Sequence, residues 1–163
     1  MLRSKVCNLA GMSPEQLVKK GASINNDEGE SKALKAAWNS KHVKIVEFLL
    51  ENNADVNTKN NDGETILSAA AEGGHFRVVE LLVKKGAQIN DEEGESKALY
   101  AACKNGEERM VKFLLKNNAN VNTEGCLAMS LELYNWEIVL ELIDYGAAEA
   151  WVSVINNIRV FFS

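Results

Sequence analysis

Long apolar runs are missing from this chain: no stretch reaches the about eighteen residues of a membrane span, and the N-terminus has no signal-peptide pattern. Membrane insertion and secretion are not expected. An excess of basic charge is missing too, since 18 Lys and Arg face 23 Asp and Glu and the formal charge is −5. That sign opposes nucleic acid as a partner, because its binders cluster Lys and Arg against phosphates. There are only 3 cysteines, Cys7, Cys103 and Cys126, odd in number and scattered, so no disulfide framework is expected and a reducing, cytoplasmic setting is favoured. The 2 histidines, His42 and His75, have no ligand or catalytic partners at a workable spacing. Gly73-Gly74 lacks the following Lys-Ser/Thr of a phosphate loop. No metal, cofactor or catalytic role is therefore expected. Pro14 is the single proline, and with abundant Asn and Lys it points to an AT-rich genome.

What the chain has is repetition. Its composition, 46% hydrophobic and 25% charged, is that of an ordinary folded, soluble protein. Leu34, Leu67, Leu99 and Leu127 are each followed twenty residues later by an alanine, namely Ala54, Ala87, Ala119 and Ala147. Counted from Ala22, successive alanines lie 32, 33, 32 and 28 residues apart, a period typical of stacked helical repeats. Leu34, Ala37 and Trp38 recur at helical spacing, as do Ile45, Val46, Phe48, Leu49 and Leu50, so each period reads as two short amphipathic helices. Such a pair cannot bury its apolar face alone, and stacking on neighbours supplies the core. In the middle period Leu67 and Leu81 are expected to be buried. Second helices should end at Gly21, Asn53, Gly86, Asn118 and Gly146, because glycine and asparagine most readily take the left-handed conformation that terminates a helix. Lys19-Lys20 and Lys84-Lys85 suit the negative end of the helix dipole, and Ser13-Pro14-Glu15-Gln16 reads as an N-cap, a first-turn proline and a capping-box glutamine.

Around these anchors stand Asp62-Gly63-Glu64-Thr65-Ile66-Leu67-Ser68-Ala69-Ala70-Ala71, Gly74-His75, Val78-Val79-Glu80-Leu81-Leu82 and Gly86-Ala87-Gln88-Ile89-Asn90. This run resembles the ankyrin repeat almost position for position. Ser31-Lys32-Ala33-Leu34 and Ser96-Lys97-Ala98-Leu99 occupy the places where that family usually has Thr-Pro-Leu-His. The resemblance implies an all-α ankyrin-repeat solenoid of helix-turn-helix units joined by short β-hairpin loops. The expected organisation is a single array over 1–163, with an N-terminal capping repeat (1–23) and central repeats over 24–58, 59–90 and 91–123. A degenerate last repeat (124–148), with a shortened hairpin from Asn122 to Leu127, is followed by an apolar C-terminal cap or tail (149–163). That tail holds Trp151, Val152, Val154, Ile155, Ile158, Val160, Phe161 and Phe162, and 149–158 reads as a capping helix. The resemblance also implies that Asn25, Asn57, Asn90 and Asn122 can be substrates of an asparagine hydroxylase in animal cells.

A second layer of repetition lies over the first. Leu17 to Ala22 recurs as Leu82 to Ala87, Gly29 to Leu34 as Gly94 to Leu99, and Asn52-Asn53-Ala54 as Asn117-Asn118-Ala119, all at an offset of 65. The copies differ unevenly: Lys35 corresponds to Tyr100, and every position from Trp38 to Ile45 differs from its counterpart in Cys103 to Met110. In ankyrin arrays the first helix and the hairpin tip line the concave face used for partners, so part of this divergence falls where a partner is read. Trp38 is either a core filler or an aromatic anchor of the kind that dominates interfaces, whereas Tyr100 sits at the motif's usual histidine position and reads as structural. Cys103 replaces a small core alanine and reads as a small hydrophobe.

The hairpin tips are acidic, with Asp27, Glu28 and Glu30 at one, Asp62 and Glu64 at the next, and Asp91, Glu92, Glu93 and Glu95 at the third. They form either a solubilising edge or a surface that steers a basic partner. The candidate partner-binding residues are thus Glu28, Glu30, Asp62, Glu64, Glu93 and Glu95 on the rim, with Lys35, Trp38, Asn39, Glu72, Tyr100 and Lys104 on the first-helix face. The function expected from the resemblance is a monomeric, non-catalytic protein–protein interaction scaffold in the cytoplasm. Its alternatives are an inhibitor occluding an enzyme such as a kinase, or an effector translocated into a host cell by an intracellular bacterium.

Overall fold

The computed structural model describes residues 24–25, 31–39 and 42–147. The expectations for 1–23 and 149–163, together with Asp27, Glu28 and Glu30, lie outside the described residues. Among those described, eight helices follow in pairs: α1 (Lys32–Asn39) and α2 (Val43–Glu51), α3 (Ile66–Glu72) and α4 (Phe76–Lys84), α5 (Lys97–Lys104) and α6 (Glu108–Lys116), α7 (Cys126–Glu132) and α8 (Trp136–Asp144). The chain divides into two compact units, Met1–Ile66 and Leu67–Ser163, the division falling at the first residue of α3.

In the first unit α1 packs on α2, burying Leu34 and Ala37 from one helix and Val46, Leu49 and Leu50 from the other. In the second, α5 packs on α6 and α7, and α8 on α7 and α6. The reason is legible in α6, Glu-Arg-Met-Val-Lys-Phe-Leu-Leu-Lys, where Met110, Val111, Leu114 and Leu115 are buried and Arg109, Lys112 and Lys116 are exposed. Four apolar positions one and four residues apart form a single stripe at 3.6 residues per turn. Glu108 in its first turn and Lys116 in its last oppose the helix dipole at each end. Lys112 also reaches Glu141 at 3.2 Å and contacts Glu108, and hydrogen bonds to Glu108 and Glu141 hold its ammonium above the usual lysine range.

The recurrent leucine-to-alanine interval corresponds to one termination motif. Asn53 and Asn118 take φ of 64° and 66°, as the sequence leads one to expect, and Gly86 and Gly146 stand at the same place. The next residue then turns its N–H back to a carbonyl five residues earlier: Ala54 to Leu49 at 2.9 Å, Ala87 to Leu82 at 2.9 Å, Ala119 to Leu114 at 3.0 Å and Ala147 to Leu142 at 2.9 Å. This is the Schellman closure, and it satisfies carbonyls that the helix end leaves open. The alanines it draws in are buried.

One expectation needs correction. Leu81 is only partly buried, and its neighbour Leu82, fully buried, fills the core instead. Both leucines fit the apolar stripe, but at about 100° per residue their side chains leave the helix in different directions, and only that of Leu82 is fully covered. The hairpin loops are short, as expected. Among the described residues the only β element is an isolated antiparallel bridge between Lys59 and Thr65. The turns are pinned by side chains: Asn60 Oδ1 accepts the N–H groups of Asp62 and Glu64, each at 2.9 Å, and Asp91 Oδ1 accepts that of Glu95 at 2.8 Å. These Asx-type bonds close a tip too short to propagate a ladder.

Candidate functional site: two equivalent clefts with different linings

The offset of 65 seen in the sequence reappears as one hydrogen-bond frame built twice. In the first unit Asn25 Nδ2 donates to the Asn53 carbonyl and Asn25 Oδ1 accepts the Asp55 N–H, both at 2.9 Å. In the second unit Asn90 bonds the Asn118 carbonyl and the Asn120 N–H at the same 2.9 Å. Ser31 N–H donates to Thr58 Oγ1 at 3.2 Å, and Ser96 N–H to Thr123 Oγ1 at 2.9 Å. Ser31 Oγ donates to the Ile24 carbonyl at 2.8 Å and Ser96 Oγ to that of Ile89 at 3.1 Å. Each serine hydroxyl then accepts a helix N–H, that of Leu34 at 3.2 Å or Leu99 at 3.4 Å. Both serines are fully buried, so a hydroxyl here is needed to satisfy the start of each first helix.

Beside each frame lies a cleft. That of the first unit is about 60 Å³, lined by Ser31, Lys32, Lys35, Thr58 and Lys59. That of the second is about 410 Å³ and open, lined by Glu95, Lys97, Tyr100, Thr123, Glu124 and Gly125. Position by position, Lys32 corresponds to Lys97, Lys35 to Tyr100, Thr58 to Thr123 and Lys59 to Glu124. The frame and the first lysine, Lys32 or Lys97, are kept, while Lys35 gives way to the Tyr100 ring and Lys59 to the Glu124 carboxylate.

The geometry of the larger cleft is specific. Gly125 has φ of 80°, and a Cβ there would lie 3.0 Å from Tyr100 Cε2, so the glycine serves both a left-handed turn and the close approach of the ring. Glu95, partly buried, accepts the Glu124 N–H through Oε2 at 2.8 Å. It is therefore a wall of the cleft rather than a free rim residue. Glu93 is exposed at the tip. Tyr100, expected to be structural, is partly exposed and forms a side of the cleft.

The other candidates are placed as follows. Asp62 and Glu64 are exposed at the first unit's tip, with Glu64 Oε2 accepting from Asn60 Nδ2 at 3.2 Å. Lys35 lines its own cleft, Trp38 is partly buried and Asn39 is exposed on α1. Glu72 and Lys104, both exposed, pair with each other at 3.7 Å between α3 and α5, so neither is an unengaged contact. Next to them Asn105 Nδ2 donates to the Glu72 carbonyl at 2.8 Å.

Sequence reasoning missed Lys59 and Glu124 as lining residues, although the same offset that paired Lys35 with Tyr100 carries their charge reversal. It also missed that Cys103 and Cys126, both buried, are neighbours where α5 packs on α7. That contact, then burial, pushes the Cys126 thiol well above the ordinary range, with the charge of Glu95 adding to the effect. Cys103 fills its core position without exposure, as a small hydrophobe should.

Among the described residues no helix is long and apolar enough to cross a membrane. No curated protein matches the chain significantly. A protein-family model described as ankyrin repeats (3 copies) matches residues 33–125, more than half of the chain. Proteins built from such repeats are generally non-catalytic modules for protein–protein interaction, which points to a protein partner. With the paired helices, the Schellman ends and the recurring serine caps, the chain belongs to the ankyrin repeat family.

Proposed function

We propose that this protein is a non-catalytic binding module whose Tyr100 cleft receives a basic side chain of a protein partner. The observation carrying this reading is the change of lining on an unchanged frame. Packing and capping account for Asn90, Ser96 and Thr123, which the first unit matches with Asn25, Ser31 and Thr58. Nothing in that frame requires Tyr100 or Glu124 in place of Lys35 or Lys59. A ring that shares its cleft with two carboxylates and the single Lys97 leaves one carboxylate in excess, which suits a guanidinium or ammonium that gains from the aromatic face and from charge-assisted hydrogen bonds together. Exposed Glu93 at the nearby tip adds to the field that such a group meets first.

The test is affinity capture from native cytosol, identification of the bound protein by mass spectrometry, and kinetics with that protein at two salt concentrations. Tyr100→Ala should speed dissociation by roughly 30-fold, the equivalent of about 2 kcal/mol for an aromatic hot spot. Glu93→Gln with Glu124→Gln should mainly slow association and flatten its salt dependence. Unchanged rates in both variants would place the interface elsewhere.

A further inference from the structure

The smaller cleft gathers charge of one sign. Lys32, Lys35 and Lys59 line it, with Lys32 and Lys59 exposed and Lys35 half-buried. Among the described residues no carboxylate comes within ion-pair reach of any of the three, whereas Lys84, Lys104 and Lys112 each have one. The walls between them are already engaged. Ser31 Oγ serves the Ile24 carbonyl and the Leu34 N–H, and Thr58 Oγ1 accepts the Ser31 N–H and donates to Asp55 Oδ2 at 3.3 Å. The other oxygen of Asp55 accepts the Asn57 N–H at 3.2 Å, so that carboxylate is committed to its own turn.

The positive sign is specific to this copy of the frame. By register the first cleft sets three lysines against one glutamate, Glu30, for a formal charge of +2, whereas the second sets Lys97 against Glu95 and Glu124 for −1. Glu30 lies outside the described residues and enters only this count. The first turn of α1 opens on the cleft through Ser31 and Lys32 and contains no acidic residue, so the positive end of the helix dipole adds to the lysines. Like charges held about one small space repel one another, and an anion placed among them removes that repulsion.

We propose that the Lys32–Lys35–Lys59 cleft binds a phosphate monoester carried on a serine or threonine of a protein partner. Such a group brings a charge of about −1.5 to −2 at neutral pH and three strong acceptor oxygens, which match the charge of the cleft and its three ammonium donors. A carboxylate brings one charge and two oxygens, and leaves a lysine unserved. Nucleic acid fits less well, because a cleft of about 60 Å³ is too small to bury a base and its lining holds no aromatic ring for one to stack on. A protein carrier agrees with the family, whose members generally bind proteins. The inference stands apart from the Tyr100 cleft, which takes the opposite charge.

The experiment follows amide resonances of the full chain by nuclear magnetic resonance while acetyl-Gly-phosphoserine-Gly-amide is titrated through the millimolar range. The amides of Ser31 to Lys35, Thr58 and Lys59 should shift and saturate, while their counterparts Ser96 to Tyr100, Thr123 and Glu124 stay in place. Lys35→Gln with Lys59→Gln should weaken the peptide by at least about tenfold, since each lost charge-assisted hydrogen bond is worth roughly that much. Lys59→Glu, which installs the residue of the second cleft at an exposed site, should abolish binding with far-UV circular dichroism unchanged. Tyr100→Ala should leave the titration as it was, so this site and the Tyr100 cleft fail or hold separately. No saturable shift at Ser31 to Lys35, or one that the lysine variants leave unchanged, overturns the proposal. Equal binding of the glutamate or unphosphorylated serine peptide overturns the phosphate assignment, and saturation by inorganic phosphate but not by the phosphopeptide overturns the protein carrier.

Discussion

Leu81 and Leu82 are neighbours in α4 and chemically identical, so replacing each by alanine isolates burial from every other variable. Leu82 is fully buried, and its carbonyl accepts the Ala87 N–H at the helix end. Truncation to alanine removes three carbons, worth about 0.8 kcal/mol each in transfer, or about 2.4 kcal/mol together. The hole left behind adds to this, and buried leucines lose about 2 to 5 kcal/mol in practice, so about 3 to 4 kcal/mol is expected for Leu82→Ala. Leu81 is only partly buried and leaves no closed cavity, so Leu81→Ala should lose about 1 kcal/mol. A gap of about 2 kcal/mol is roughly a 30-fold difference in the folding equilibrium. Urea unfolding followed by far-UV circular dichroism measures it. With slopes of about 1 to 3 kcal/mol per molar, Leu82→Ala should move the midpoint by more than about 1 M, and Leu81→Ala by a fraction of that, with the slopes unchanged. Equal losses, or a larger one at Leu81, would refute the packing of α4 described above.

Two further outcomes are expected. Asn118→Gly should be neutral or mildly stabilising and Asn118→Ala should lose about 1 kcal/mol, because φ of 66° suits glycine, is tolerated by asparagine and is disfavoured for alanine; thermal melts of the two variants check this, and a loss on Asn118→Gly would count against the reading of the helix end. Thr123→Val removes the acceptor of the buried Ser96 N–H at nearly constant volume and should lose about 1 to 3 kcal/mol. Hydrogen exchange should show the loss first at the Ser96 amide, and an unchanged exchange rate there would mean that water or another group serves that donor.

How much of this was legible in the sequence depends on which interaction decided each feature. The helix ends were legible because asparagine or glycine before alanine is a local signal, and local bonds such as Ala54 to Leu49 realise it. The doubled frame was legible as an offset of 65 because the same side chains make the same bonds twice. Leu82 against Leu81 was not, since periodicity fixes the direction of a stripe only to within about one residue, and the neighbouring helices decide between its members. Glu95 read as one of a row of acidic tip residues, and only the bond to the Glu124 N–H turns it into a wall. The contact of Cys103 with Cys126 joins helices from successive repeats, and scattered cysteines in a sequence carry no sign of such a meeting.

The cleft itself traces back to the one irregular interval in the repeat. From Thr58 to Ile66 the first unit spends eight residue steps, with Asn60 to Glu64 closing a tip by mutual hydrogen bonds. From Thr123 to Cys126, the corresponding interval, there are three. The Leu127-to-Ala147 block is as long as the others, so the whole shortening to 28 residues falls on this turn. Cys126 N–H reaches the Thr123 carbonyl at 3.2 Å, and the left-handed Gly125 makes so tight a connection possible. No tip like Asn60–Glu64 stands after Glu124. The cleft there is about 410 Å³ against about 60 Å³ beside Lys35. A shortened turn that degrades the repeat as a sequence pattern thus goes with the wider cleft, in which Glu124 is exposed and Glu95 is tied to the Glu124 N–H beside the Tyr100 ring.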